Sequence, residues 1–186
     1  MLQHWKRLTT SILFRNPWWT YKKDTFRIPD GVDGEYHYVD TNGSSMIIPM
    51  TREGNIILVN QYRYLCERES IELPCGGIKE GKSPEEMAKI ELEEETGFTC
   101  KLMTYIGSFN PFNGVTTEMC SVYAAHDLTP VDTQCDVTEE FEVLELSVAE
   151  IDRMISSNEI WDGMTLAALA LGRSYIDSHN AIGPIE

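Results

Sequence analysis

A glycine-rich loop in this sequence runs directly into a strongly capped helix. The helix is predicted over residues 84–96, because Ser83 is a good N-cap and Glu86 completes a capping box three residues later. Gly97 supplies a left-handed stop. Glycines before a helix N-terminus allow the backbone to approach a ligand closely. Three glycines precede this helix: Gly76, Gly77 and Gly81.

The predicted helix carries a stripe of acidic residues. Glu91, Glu94 and Glu95 are neighbours on its surface, because residues i, i+3 and i+4 lie on one side of a helix. We expect all three to face inward, since apolar residues flank the stripe: Met87, Ala88, Ile90 and Leu92. Gathered carboxylates lose hydration and repel one another, which raises their pKa values or requires a cation. Mg²⁺ suits such oxygen ligands, with Mn²⁺ as an alternative. A solvated surface helix is the competing interpretation.

The charge balance restricts the partners of the chain. There are 15 basic and 30 acidic side chains among the 186 residues, for a formal net charge of −15. This balance argues against nucleic acid or an anionic membrane surface as the main partner. An acidic protein that handles a phosphorylated ligand needs divalent cations to bring the two together.

The sequence predicts a cytoplasmic protein that does not span a membrane. No apolar stretch approaches the ~20 residues that cross a bilayer, and the start of the chain lacks a signal-peptide pattern. The cysteines are scattered and contain no C-x-x-C pair, so neither a disulfide framework nor a zinc site is indicated.

The order of predicted elements indicates an α+β fold. Apolar residues at roughly helical spacing predict a short amphipathic helix or arm within the first 16 residues, and an antiparallel meander is expected over 18–62. Strands, one helix, more strands and two final helices follow, which is unlike an alternating parallel fold. We therefore expect an N-terminal arm with antiparallel strands over 1–44, a possible dimerisation segment, and a catalytic or binding domain over 45–180. Later strands are predicted at 101–109, 120–125 and 140–146, and the final helices at 148–156 and 163–176.

Residues 76–98 resemble the Nudix box, G-x5-E-x7-R-E-U-x-E-E-x-G-U, where U is apolar. Two positions depart from the pattern: Lys82 stands where the family has Glu, and Ile90 where it has Arg. These two family side chains can pair electrostatically, and losing both removes the pair without leaving one charge alone. The matching residues are Gly76, Glu91, Leu92, Glu94, Glu95, Gly97 and Phe98.

The resemblance extends over roughly residues 45–176 and is to the ADP-sugar pyrophosphatase branch. It rests on residues 60–63, 72–74, 107–118, 139–143 and 159–162. It implies a Nudix α/β/α sandwich with a mixed central sheet and an N-terminal β/arm extension. It also implies Mg²⁺-dependent hydrolysis of an ADP-ribose-like nucleotide sugar to a nucleoside monophosphate and a sugar phosphate. Members of this branch are commonly homodimers whose N-terminal segments help to form the partner's substrate site.

The resemblance also assigns catalytic roles. Glu91, Glu94 and Glu95 are expected as metal ligands, together with the main-chain carbonyl of Cys75, and Glu95 counts as a catalytic residue as well. The general base of this branch comes from a loop between late strands. Glu139 fits best by its spacing, Glu140 is the fallback, and the competing interpretation is that both are surface acids.

Four residues are candidates for substrate binding. Arg63 can grip a phosphate or ribose with its planar fork, or form a surface ion pair. Glu118 can reach a ribose hydroxyl or a metal-bound water, or be a strand-edge charge. Trp18 and Trp19 can stack on a base, or pack in the core or a dimer interface.

Two alternatives to an ADP-ribose-like substrate remain open at this point. The first is a Nudix-fold module that senses a nucleotide without hydrolysing it, which the missing Arg at position 90 suggests. The second is a Nudix enzyme for another nucleoside diphosphate derivative.

Overall fold

A computed structural model describes residues 2–132 and 142–180 of the chain. The chain divides into two compact units. The first comprises Met1–Gly43 and Asn110–Met119, and the second comprises Ser44–Phe109 and Cys120–Glu186. The sequence predicted a single boundary near residue 44. It did not predict that residues 110–119 group with the N-terminal unit.

The N-terminal unit is built on a three-stranded antiparallel sheet in the order β1-β2-β3. The strands are β1 (Lys6–Arg15), β2 (Thr20–Arg27) and β3 (Asp33–Asp40). The 110–119 segment joins this sheet, since the backbone N–H of Val39 donates to the Val115 carbonyl at 2.9 Å. The Tyr36 hydroxyl also donates to the Gly114 carbonyl at 2.8 Å.

Of the two alternatives for the N-terminal segment, helix or arm, the helix is wrong, because residues Lys6–Arg15 form β1. The strand pairs with β2 along its whole length, from Lys6 opposite Arg27 to Arg15 opposite Thr20. Its register shifts twice, between Arg7 and Thr9 and between Ile12 and Phe14. Each shift breaks the two-residue alternation of a strand. The apolar residues consequently fall at spacings that imitate a helix.

The second unit contains two further sheets, in the orders β7-β4-β9-β8 and β10-β5-β6. Strand β4 pairs in parallel with β9 and antiparallel with β7, so the meander predicted over 18–62 is wrong beyond β3. The strands are β4 (Ser44–Pro49), β5 (Ile56–Arg63), β6 (Arg68–Glu72), β7 (Cys75–Gly77), β8 (Phe98–Phe109), β9 (Cys120–Pro130) and β10 (Glu142–Leu146).

Among the residues that the structure describes, three α-helices pack in the second unit: α1 (Pro84–Thr96), α2 (Val148–Ser156) and α3 (Gly163–Asn180). Strand β4 is buried on both faces, and its last four residues, 46–49, form a continuous apolar run after two buried serines. Ile47 packs on one side with Ala88 and Leu92 of α1. Met46 and Ile48 pack on the other side in the larger cluster that includes Leu169 of α3 and Ile151 of α2. The sheet therefore lies between helices.

Helix α1 begins and ends where its sequence predicts. The Ser83 hydroxyl accepts from the Glu86 N–H, and the Glu86 carboxylate accepts from the Ser83 N–H at 2.8 Å. Gly97 ends the helix with a left-handed φ of 73°. The capping hydrogen bonds lower the pKa of Glu86.

Within residues 2–132 and 142–180, no helix is both long and apolar enough to cross a membrane. The cytoplasmic location stays a prediction from the sequence.

Candidate active site

Two acids of α1 turn inward and meet the loop before the helix. Glu91 and Glu95 have only 9% and 7% of their surface exposed. The backbone N–H of Cys75 donates to Oε2 of Glu95 at 3.0 Å. The Glu91 carboxyl carbon lies 2.1 Å from the point where a Cβ on Gly76 would stand. Both carboxylates are thus packed against the Cys75–Gly76 backbone.

Glu94 does not share this burial, so the prediction of three inward-facing acids is wrong for this residue. It is exposed, whereas Glu91 and Glu95 are buried. The buried face of α1 follows two ridges of i, i+4 neighbours, one of which runs through Met87, Glu91 and Glu95. Glu94 follows Ile90 on an adjacent ridge, and Ile90 is itself only half-buried.

The loop that meets these acids is part of the sheet. Strand β7 pairs with β4, which places Cys75 opposite Met46 and Gly76 opposite Ser45. The Ile47 N–H donates to the Pro74 carbonyl at 2.9 Å. Strand β4 therefore fixes the loop from one side while α1 meets it from another.

Arg63 forms a two-pronged ion pair with Glu72. Its Nε donates to Oε1 of Glu72 at 2.7 Å, and its Nη2 donates to Oε2. The Glu72 side chain is 3% exposed and that of Arg63 is 46% exposed. The hydrogen bond to Glu72 raises the pKa of Arg63 despite partial burial, and the charges of Asp162 and Cys75 act in the same direction. Arg63 is therefore held by a buried carboxylate, while about half of its own side chain stays exposed.

The other candidate substrate-binding residues lie in the N-terminal unit. Trp18 is 79% exposed and Trp19 is 38% exposed, so Trp18 is not a core residue of this chain. The backbone N–H groups of both donate to Oδ1 of Asn16, at 2.9 and 2.8 Å. Glu118 is half-buried, and its backbone N–H donates to the Thr116 hydroxyl at 3.0 Å.

The two candidate bases, Glu139 and Glu140, lie outside the described residues. Within the parts of the chain that the structure describes, no three His, Cys, Asp or Glu side chains come close enough together to hold a metal ion by themselves. Mg²⁺ is commonly held by one or two protein carboxylates, with waters and substrate phosphates completing its shell. The carboxylates of Glu91 and Glu95 beside the Cys75–Gly76 backbone fit that kind of site.

A family profile of the NUDIX domain matches residues 41–167 of the sequence. The chain belongs to the Nudix family. The match spans both the Cys75–Gly76 loop and the acids of α1, so the described geometry falls within the Nudix domain. The family membership predicted from the box at 76–98 is confirmed. Nudix hydrolases generally use divalent metal ions.

Relatives with assigned names point in the same direction. This Nudix chain is 33% identical over 144 residues to an ADP-ribose pyrophosphatase of Bacillus subtilis (strain 168), covering 76% of this chain and 78% of the relative. It is 28% identical over 177 residues to a GDP-mannose pyrophosphatase of Yersinia enterocolitica, covering 88% of this chain and 92% of the relative.

A solved structure described as an ADP compounds hydrolase shows the fold. It superposes with a TM-score of 0.84 at 23% identity and covers 96% of this chain and 97% of its own. The predicted α+β class and Nudix α/β/α sandwich are confirmed.

Sequence reasoning missed two residues that shape the site. The ion pair of Glu72 with Arg63 had only an indirect signal, since Glu72 is part of the 72–74 segment that resembles the family. No sequence signal pointed to a role for Thr165, because it is an ordinary polar residue within a predicted helix. Its hydroxyl accepts from the Leu73 N–H at 3.1 Å.

Proposed function

We propose that this Nudix protein is a Mg²⁺-dependent pyrophosphatase that cleaves an ADP-ribose-like nucleotide sugar into a nucleoside monophosphate and a sugar phosphate. The observation that carries the proposal is the pair of buried carboxylates, Glu91 and Glu95, packed against the Cys75–Gly76 backbone. Two buried acids side by side are stable as anions only when positive charge or hydrogen bonds compensate them. The named relatives act on nucleotide sugars, which supply phosphates to complete such a site.

In this proposal Glu91, Glu95 and the Cys75 carbonyl hold the ion, with exposed Glu94 contributing from the rim. A bound divalent ion polarises phosphoryl oxygens and lowers the pKa of a coordinated water. The Cys75 N–H orients the Glu95 carboxylate by its 3.0 Å hydrogen bond. The accessible part of the Arg63 fork neutralises a substrate phosphate, because Glu72 fixes the rest of the guanidinium. Glu139, or Glu140 in its place, accepts the proton of the attacking water.

The remaining candidate residues bind the nucleoside. An exposed aromatic face such as that of Trp18 stacks on a base. Glu118 accepts a hydrogen bond from a ribose hydroxyl. Both lie in the N-terminal unit, which this proposal makes the source of substrate specificity.

We further propose that the protein is a homodimer formed through its N-terminal unit. Strand β1 lies at the edge of its sheet, and all ten of its residues are exposed. Edge strands with exposed apolar side chains tend to pair with another chain. A second copy would cover four large side chains that are 40–55% exposed: Leu8, Ile12, Leu13 and Phe14.

The direct test is release of AMP and ribose phosphate from ADP-ribose in the presence of Mg²⁺. Glu91→Gln and Glu95→Gln should each lower kcat/KM by on the order of 100-fold. Glu85→Gln is the matched control, because this exposed acid of the same helix forms an ion pair with exposed Lys89 at 2.7 Å. It should leave activity near wild type. GDP-mannose, dinucleotides and nucleoside triphosphates complete the panel. No turnover of any of them would reject the proposal.

A non-hydrolysing sensor is not favoured, because the named relatives are pyrophosphatases. The departures at Lys82 and Ile90 provide the discriminating experiment. Calorimetry that detects saturable ADP-ribose binding with Mg²⁺, without product after long incubation, would support the sensor. A large gain in activity in Lys82→Glu/Ile90→Arg, compared with either single variant, would indicate that the natural chain was not selected as a strong hydrolase.

A further inference from the structure

A buried hydroxyl on α3 holds the loop that leads into the site. Thr165 is completely buried, and its Oγ1 accepts from the Leu73 N–H at 3.1 Å. The Thr165 backbone N–H donates to Oδ2 of Asp162 at 2.7 Å, so Asp162 caps the first turn of α3. This capped turn fixes the place of the hydroxyl.

Three successive residues of the loop are held by three different elements. Leu73 is held by α3 through Thr165, Pro74 by β4 through the Ile47 N–H, and Cys75 by α1 through the Glu95 carboxylate. Leu73 is only 1% exposed, so water cannot readily replace a lost hydrogen bond to its N–H. Leaving a buried N–H without an acceptor is unfavourable. The hydroxyl therefore restricts the backbone two residues before the Cys75 carbonyl.

We propose that Thr165 is a positioning residue of the Nudix site. Its hydroxyl fixes the Leu73 amide, and through the Leu73–Cys75 backbone it aligns the Cys75 carbonyl and the Cys75 N–H that orients Glu95. The inference rests on the proposed function, because it assigns the Cys75 carbonyl to metal binding. The same turn of α3 also supplies Asp162, whose charge acts on Arg63.

The test compares Thr165→Ser with Thr165→Ala. Both variants lack the γ-methyl group, and they differ only in the hydroxyl. Thr165→Val is the nearly isosteric third variant. Ser178→Ala is the control, because it removes an exposed hydroxyl from the same helix, where Oγ donates to the Tyr175 carbonyl. Hydrogen exchange of the Leu73 amide and Mn²⁺ binding by calorimetry are measured without substrate, and Mg²⁺-dependent kcat and KM for ADP-ribose are measured separately.

We expect Thr165→Ala and Thr165→Val to exchange the Leu73 amide roughly fivefold faster. They should bind Mn²⁺ about tenfold more weakly and lose kcat more than KM rises. Thr165→Ser and Ser178→Ala should resemble wild type in all three measurements. If Ala and Ser bind Mn²⁺ equally well, or if Leu73 exchanges at the same rate in both, the inference is wrong. Failure of the wild type to hydrolyse any nucleotide sugar would instead reject the proposed function, and the exchange comparison would still report on the hydroxyl.

Discussion

Glu91 fills the space that any side chain at residue 76 would need. A Cβ on Gly76 would lie 2.1 Å from both the carboxyl carbon and Oε1 of Glu91, far inside van der Waals contact. The Gly at this position is thus required by the approach of a carboxylate and not by backbone conformation. The next residue offers a contrast, because a Cβ on Gly77 would meet nothing within 4 Å.

Gly76→Ala should therefore displace the Glu91 carboxylate and weaken divalent-ion binding. We expect kcat/KM for a nucleotide sugar to fall by on the order of 10- to 100-fold and the Mg²⁺ concentration at half-maximal rate to rise. Gly77→Ala serves as the control and should stay near wild type in both measurements. Equal effects of the two substitutions would contradict the role assigned to Glu91.

The Arg63–Glu72 pair should respond unequally to loss of its two members. Arg63→Ala leaves the buried Glu72 carboxylate, which is 3% exposed, without its ion-pair partner. It should lower the free energy of unfolding by about 3–5 kcal/mol. Glu72→Gln leaves a half-exposed guanidinium that water can solvate, and should cost about 1–2 kcal/mol. Urea denaturation measures both. The Arg63→Ala/Glu72→Gln double variant should be more stable than Arg63→Ala alone, and an additive loss would argue against the pair.

Removing the apolar character of β1 should dissociate the proposed dimer. Ile12→Asp introduces a charge on an exposed apolar strand and should shift the protein to a monomer in sedimentation equilibrium at micromolar concentration. Leu102→Asp is the control, since Leu102 is 51% exposed on β8 and lies outside the N-terminal unit. A wild type that sediments as a monomer would reject the dimer outright.

Stability should decrease at mildly acidic pH because of His126. Burial lowers the pKa of His126 below its ordinary value of 6.5, and nearby His179 lowers it further, whereas Asp127 opposes the shift. The unfolded chain therefore binds a proton at higher pH than the folded chain does. The stabilisation is complete above about pH 6.5 and is lost as pH falls from there through the folded pKa.

The measurement is the free energy of unfolding, obtained by urea denaturation at a series of pH values. His126 donates to or accepts from the Tyr175 hydroxyl at 3.1 Å, so His126→Gln keeps a polar partner and removes the titration. This variant should show a flatter profile below about pH 6.5. His4→Gln, at an exposed position, should retain the slope of the wild type. An unchanged slope in His126→Gln would exclude this residue as the cause.

Local sequence signals were sufficient to predict the positions of α1 and of the central strands. The capping box, Pro84 and Gly97 mark both ends of α1 independently of tertiary contacts, and the prediction of its bounds is confirmed. Most of strand β4 is equally clear, because burial on both faces produces an apolar run over residues 46–49. Features that depend on pairing between distant segments were harder to predict from the sequence. The β1 segment imitated a helix, because its two register shifts are visible only once β2 is alongside.

The acids of the site show the same limit. Helical periodicity grouped Glu94 with Glu91 and Glu95, yet the buried arc of α1 ends before Glu94, and only the packing of the loop and sheet decides where it ends. Thr165 contacts a residue 92 positions away, which no pattern along the chain encodes. The roles of Glu139 and Glu140 stay predictions.

The placement of the 110–119 segment bears on how this chain can be dissected. The polypeptide passes between its two units at 43/44, at 109/110 and again at 119/120. A single cleavage near residue 43 therefore frees β1–β3 but leaves behind the strip whose Thr117 N–H and Val115 carbonyl bond to Val39. A truncated protein that begins at Ser44 would keep residues 110–119 between β8 and β9, without the sheet to which they bond. The N-terminal sheet is therefore completed by residues that lie more than seventy positions downstream, so it cannot be removed or transferred intact as one continuous piece of sequence.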